Sequence, residues 1–283
     1  MEAMEPVFNT IVHGKWVLAG EHAVLRGYPA LAMPLKQFHL SLKFKPELSG
    51  GLIVTPNEVS DVIKALLSDA LFEESRLPIG ELHLESTIPI GAGLGSSAAL
   101  SVALARWLSG SLALDTQGVI DLATRLEHRF HGQSSGMDVA SVISGEPIVF
   151  TKGSKPEHIG ITKMPRFTFY DSGRRVPTKQ CVSSVESLFD TNRDLAQSLD
   201  ERMGQATNYA VDGLIRYNNG DVRDGLVFIA RAMSISHECF SAWGLVPTEA
   251  ARVISGVLGD GALAAKLTGA GGGGMVVALW PES

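Results

Sequence analysis

The segment IPIGAGLGSSAALSVALARWL, residues 88–108, constrains the fold more than any other part of the chain. Gly91, Gly93 and Gly95 alternate with small or apolar residues, two serines follow, and then comes an apolar run of helical length. Without a Cβ, such a loop turns tightly and lets backbone approach a ligand closely. Ser96 or Ser97 is placed to cap the helix, whose first turn leaves unpaired N–H groups at the positive end of its dipole. The run GELHLESTI just before it reads as a strand. Strand, glycine loop and helix N-terminus together describe a cradle for an anion, phosphate above all.

The known phosphate loops of other folds do not account for it. No G-x-x-x-x-G-K-[ST] is present, which excludes a Walker-type loop. Residues 269–274, GAGGGG, formally contain G-x-G-x-x-G, but a dinucleotide fold needs a helix and an acidic residue about 20 positions on. The nine residues after Gly274 in this 283-residue chain do not supply them. Glycine loses more conformational freedom on folding than any other residue, so four in succession are costly to order. Such a run implies that another loop or a ligand packs against bare backbone.

Two further segments carry the residue types of phosphoryl transfer. VHGKWVLAGEHAVLRGYPAL holds Lys15, Glu21 and His22 on a strand and the turn after it. Lysine is a compact cation suited to a phosphate or to an oxygen about to lose its proton. LEHRFHGQSSGMDVA places Glu127 near the end of a helix and Asp138 just past a turn at residues 132–136. Transfer from a nucleotide needs a hydroxyl and a carboxylate for Mg²⁺ and a group that orients and deprotonates the attacking alcohol. Ser97, Glu127, Asp138 and Lys15 supply these types.

The hydrophobic pattern describes an α+β chain. Strands are expected at FNTIVHG, KWVLAG, FHLSLKFK, GLIVTP and GELHLEST, with a helix VSDVIKALLSDALFEE between the last two. A second amphipathic helix, TQGVIDLATRLEHRFHG, buries Val119, Leu122, Ala123, Leu126 and Phe130 and stops at Gly132. EPIVF is a strand, and TKGSKPEHIG marks a domain boundary near residue 150, followed by a strand in RFTFYDSG. Helices follow at residues 178–199, 201–219, 222–243 and 248–259; then strand AAKLT, the glycine run and strand MVVALW.

Charge and composition narrow the partners. With 24 basic and 30 acidic residues the chain carries a formal charge of -6, so no chain-wide basic field attracts nucleic acid. A polyanionic substrate then requires local cations or a metal. Cys181 and Cys239 are too few for a disulfide framework or zinc site and read as filler in a reducing compartment. The start MEAMEPVFNT lacks a basic-then-apolar leader, and no run of about 18 apolar residues appears, so a cytoplasmic location without membrane insertion is expected.

GKWVLAGEHAV, PIGAGLGSSAA and KLTGAGGGG resemble, in order, the three motifs of the galactokinase, homoserine kinase, mevalonate kinase and phosphomevalonate kinase (GHMP) superfamily, and the match spans nearly the whole chain. The resemblance implies two α+β domains: residues 1–150, of the ribosomal protein S5 domain 2 type, and residues 151–283, ferredoxin-like. It implies ATP and Mg²⁺, with Lys15 and Asp138 as the catalytic pair and Ser97 and Glu127 as metal ligands. Pro89, Gly91, Ala92, Gly93, Leu94, Gly95, Ser96 and Ser97 would cradle the ATP phosphates. His22, Glu21, Gly271 and Gly272 would line the acceptor, with Glu21 as a structural partner in its turn. GEHAV, HGQSSGMD and DSGRRVPTKQCV most resemble the mevalonate kinase branch, which forms 5-phosphomevalonate for isoprenoid precursor synthesis. Phosphomevalonate, or another acceptor of the superfamily, is the alternative; some members are non-catalytic ligand binders, against which the presence of all four chemical residues argues. Departures from the branch pattern occur at Ala19, Ser134 and Val139, on the acceptor side. The sequence itself does not disclose an oligomeric state; the resemblance is compatible with a homodimer.

Overall fold

The computed structural model describes residues 8–71, 77–131 and 135–282. The first seven residues of the leader reading, the tail of the first helix (residues 72–74), the stop at Gly132 and the departure at Ser134 lie outside them. The chain divides into two compact units, each assembled from separated segments. One holds the described residues of 1–14, 35–89 and 95–143, and the other those of 15–34, 90–94 and 144–283.

The first sheet is built around two long strands, β1 (Phe8–Ala19) and β2 (Ala30–Pro46), which pair with each other and contribute to both units. Beyond them lie β3 (Leu52–Thr55), β4 (Gly80–Ser86), β5 (Ile148–Phe150) and β6 (Glu157–His158), in the order β3-β4-β2-β5-β6 with β1 on β2. β2 and β4 are antiparallel, with Leu42 opposite Leu84 and Phe44 opposite Leu82. All four side chains are buried while Lys43 and Lys45 point outward, the period-2 alternation of a half-buried strand. In this unit α1 (Ser60–Leu71), α2 (Ser96–Leu108), α3 (Thr116–His131) and α4 (Met137–Ser144) supply the helices, and α2 packs on α3.

The second unit contains an antiparallel sheet ordered β7-β9-β8, from β7 (Phe167–Asp171), β8 (Ala264–Leu267) and β9 (Met275–Leu279). Its helices are α5 (Thr178–Thr191), α6 (Arg193–Asn218), α7 (Val222–Ala242) and α8 (Thr248–Gly259). α6 and α7 form a hairpin whose backbones meet closely because Gly213 and Gly225 face each other: a Cβ on Gly225 would lie 2.7 Å from the Tyr217 nitrogen.

Several expectations need correcting. FNTIVHG and KWVLAG are one strand, since Gly14 sits in extended backbone without ending it. The first helical pair after residue 178 breaks at Asn192, whose side-chain oxygen accepts from the Leu195 N–H at 3.2 Å and caps α6, so Asp200 is mid-helix. Leu122, Ala123 and Leu126 are buried as expected, but Val119 is only half-buried and Phe130 is 37 % exposed, and Glu127 takes an inward position. The short helix α4 was not anticipated, and it carries Asp138 in its first turn.

Candidate active site

The two glycine loops lie backbone to backbone. Gly91, Gly93 and Gly95 have φ of 69°, 83° and 79°, the left-handed region that disfavours any side chain. A Cβ on Gly93 would stand 2.4 Å from the Thr268 carbonyl oxygen, and one on Gly269 would stand 2.6 Å from Gly93 Cα. The Ala92 carbonyl accepts from the Met275 N–H at 3.1 Å, and the Leu94 carbonyl accepts from the Lys15 N–H at 3.0 Å. The demand for glycine at the two ends of the second run, Gly269 and Gly274, is therefore set by the first loop. Ala92 and Leu94 are buried beneath it, with Pro89 leading in.

Neither serine caps the helix. Gly95, in left-handed backbone, occupies the N-cap without a side-chain hydrogen bond, and α2 begins at Ser96. Ser97 turns inward to donate from Oγ to Glu127 Oε1 at 2.9 Å, and Ser101 Oγ donates to Oε2 at 3.3 Å. Glu127 is fully buried. The expected hydroxyl and carboxylate are thus brought together, and this all-oxygen pair suits a hard cation that keeps several waters and leans on substrate phosphates. Among the described residues no cluster of three or more His, Cys, Asp or Glu side chains stands ready to hold a metal unaided. Asp138 is half-buried at the start of α4, and Lys15 is 3 % exposed on β1.

The GEH segment is held by β8 and the loop after it. Lys266 Nζ donates to Glu21 Oε1 at 2.5 Å and to the Val17 carbonyl at 3.3 Å. Thr268 Oγ1 accepts from the Val17 N–H at 2.9 Å and donates to its carbonyl at 3.1 Å. Glu21 Oε2 is buried without a partner. Burial pushes the Glu21 carboxyl up and the Lys266 amine down, each drawn back by the charge of the other.

His22 has φ 61° and ψ -51°, and the Ala23 N–H donates to the Glu21 carbonyl at 2.7 Å, closing a γ-turn of the rare, strained kind. Its Nε2 donates to the Ala270 carbonyl at 2.8 Å, which fixes the tautomer. Its ring meets Phe240 and Trp243 edge-on, with centroids 5.8 and 5.3 Å away. Burial depresses its pKa to about 4, with Arg26 adding to the depression. Arg26 forks onto the buried Asp200, Nη2 lying 2.6 Å from Oδ1. Gly271 and Gly272 pack on Phe240 and Leu245 and on Val176 and Cys181. Burial raises both thiols, Cys239 to about 11, which fits the filler reading.

Sequence reasoning missed Lys266, Thr268, Trp243 and the Arg26–Asp200 fork. Lys266 had a visible signal: a lone charge in the otherwise apolar strand AAKL.

The GHMP kinases N-terminal domain matches residues 57–146, and the GHMP kinases C-terminal domain matches residues 226–283. Mevalonate kinase of Pyrococcus furiosus is 30% identical, the match covering 95% of this chain and 87% of that protein. Mevalonate kinase of Thermococcus onnurineus is 31% identical over the same shares. The crystal structure of L. major mevalonate kinase in complex with R-mevalonate has the same fold, with a TM-score of 0.80 and 22% identity, covering 100% of this chain and 91% of that one. Identity sustained across both matched domains, with the glycine loops in place, leads to one conclusion: the chain belongs to the GHMP kinase family.

Proposed function

We propose that the chain is an ATP-dependent mevalonate kinase, moving the γ-phosphoryl group of ATP to the primary hydroxyl of mevalonate and releasing ADP. The observation that carries the acceptor is the identity of 30–31% over 95% of the chain to proteins named mevalonate kinase. The geometry supports it against phosphomevalonate. A second phosphate brings roughly two further negative charges and needs dedicated cations. Of the three candidates in the second half of the chain, Arg174, Arg175 and Lys179, the two arginines are paired with Glu249 and Asp171.

In this reading Asp138 accepts the proton of the attacking hydroxyl, and Lys15 stabilises the charge that develops on the alkoxide and phosphoryl oxygens. Residues 91–97 present backbone N–H groups to the ATP phosphates. Ser97 Oγ and the Glu127 carboxylate would hold Mg²⁺, which supplies neutralisation of phosphate charge when bound. The buried, neutral His22 offers the acceptor a fixed polar edge. The domain boundary near residue 150, a homodimer and a cytoplasmic location belong to the same reading; among the described residues no helix is long and apolar enough to cross a membrane.

The test is ADP release against mevalonate, phosphomevalonate, homoserine and galactose in parallel. Mevalonate should give the highest kcat/KM, and His22→Tyr should weaken it selectively. A clear preference for phosphomevalonate would overturn the acceptor assignment while leaving the kinase chemistry.

A further inference from the structure

The carbonyls of residues 90, 92 and 94, alternate peptides of the first glycine loop, are each held from the protein side. Leu94 and Ala92 are held by the backbone N–H groups of Lys15 and Met275. The first carbonyl, at the loop entrance, is held by a side chain: Arg175 Nε donates to Ile90 O at 3.3 Å. The stem of Arg175 covers Gly91, its Cδ lying 3.5 Å from where a Cβ would be.

The guanidinium is itself immobilised. Nη1 and Nη2 donate to Asp171 Oδ1 and Oδ2, both at 2.7 Å, and Nη1 also donates to the Arg174 carbonyl at 3.0 Å. Asp171 is the last residue of β7, opposite Met275 on β9, and Oδ1 accepts from the Gly173 N–H at 2.8 Å. Arg174 O also accepts from the Gly274 N–H at 2.8 Å. A rigid sheet end therefore holds a carboxylate, the carboxylate holds a planar fork, and the fork holds the loop entrance.

We propose that Arg175 and Asp171 form a brace that pre-sets the glycine loop for the ATP phosphates, so that both are positioning residues for nucleotide affinity. The proposal rests on the reading of residues 91–97 as the ATP loop. The pair is well exposed, Arg175 at 34% and Asp171 at 47%, and exposed ion pairs add little to stability. Its geometric effect is larger, because a loop of glycines is the part of a site that loses most entropy when it binds. Lysine cannot replace the fork: it has the charge but not two parallel N–H vectors plus Nε.

The experiment is equilibrium titration of the full-length protein with ATP, alongside steady-state kinetics and thermal melts. Arg175→Met, Arg175→Lys and Asp171→Ala should each weaken ATP binding, by roughly tenfold for the first, as expected for lost preorganisation. KM for ATP should rise far more than kcat falls, the acceptor KM should stay put, and melting temperatures should barely move. If Arg175 acted only as a cation for phosphate, Asp171→Ala would free it and tighten ATP, and Arg175→Lys would bind normally; either result overturns the brace. Unchanged ATP affinity in Arg175→Met overturns it as well. A wild-type protein that binds no ATP would instead sink the reading of the loop on which the brace depends.

Discussion

Lys266 and Glu21 face each other in a place where neither charge can reach water, at 0% and 3% side-chain exposure. Desolvating two ions costs more than their attraction returns unless the geometry is good, whereas removing one partner strands the other. Lys266→Met alone should therefore cost about 3–5 kcal/mol, while Glu21→Leu combined with Lys266→Met should restore most of that loss, since apolar replacement of a whole buried pair is often neutral. Chemical denaturation of the two variants checks this; equal losses in both would show that the pair is not coupled as its geometry requires. The singly charged partner Glu21 was legible in the motif GEHAV, but its burial was not, because a sequence does not say which strand covers a turn. His22 was legible as a polar group. Its γ-turn was not, since that backbone conformation is imposed by the Ala270 carbonyl and the rings of Phe240 and Trp243, some 220–250 residues away in the chain. Ser97 with Glu127 could be read as a chemical pair from type alone, and both hydrogen bonds to Glu127 come from one face of α2.

At the level of elements, the glycine loops were the most legible part of the chain, because so many missing side chains in so few residues require something to pack against bare backbone, as Gly93 and Gly269 do on each other's loop. Gly93→Ala tests that explanation: its Cβ would meet the Thr268 carbonyl at 2.4 Å, in backbone of φ 83°. It should destabilise the protein by about 1–3 kcal/mol through strain and overpacking and weaken ATP binding, whereas Gly256→Ala, in α8 with nothing within 4 Å, should be neutral or slightly stabilising. Melts and ATP titrations of the two variants give the comparison; tolerance of alanine at position 93 would mean that the loops part without consequence. The elements that escaped the sequence did so for identifiable reasons. β1 hid its continuity behind Gly14. α4 is only eight residues long and begins directly after the glycine at 136, so a turn and a short helix looked alike. Phe130 was assigned to the core by periodicity, yet it is 37 % exposed, whereas Glu127, which its helical position beside Ile120 and Ala123 allowed to be partly buried, is buried completely.

Over the whole molecule, the buried charged and imidazole side chains among the described residues are Lys15, Glu21, His22, Glu127, Asp200 and Lys266. All but Asp200 lie in segments that carry the family motifs or the carboxylate pair, and Asp200 holds Arg26, four residues beyond His22. Desolvation is thus concentrated where the chemistry is proposed, and stability should carry its pH signature. His22 is depressed from 6.5 to about 4 by burial, so between those values the unfolded chain binds a proton that the folded one refuses. Its contribution is fully present above pH 6.5 and falls away as pH drops toward 4, by about 3 kcal/mol at 1.36 kcal/mol per pKa unit. His237, also depressed by burial, acts in the same direction, whereas Glu21, raised by burial, opposes them over the acidic part of the window. The His22 contribution alone is a sizeable fraction of the 5–15 kcal/mol typical of folded domains, and it pulls stability down as pH falls from 6.5 to 4.5. Because Glu21 and His237 are common to both proteins, the difference between wild type and His22→Gln isolates His22. Denaturant unfolding at closely spaced pH values should give a flatter curve for the variant, whatever its stability at pH 7. Parallel curves would mean that His22 takes up its proton in the folded state as readily as in the unfolded one, and that its ring is not the sealed, neutral hydrogen-bonding group assigned to the acceptor side.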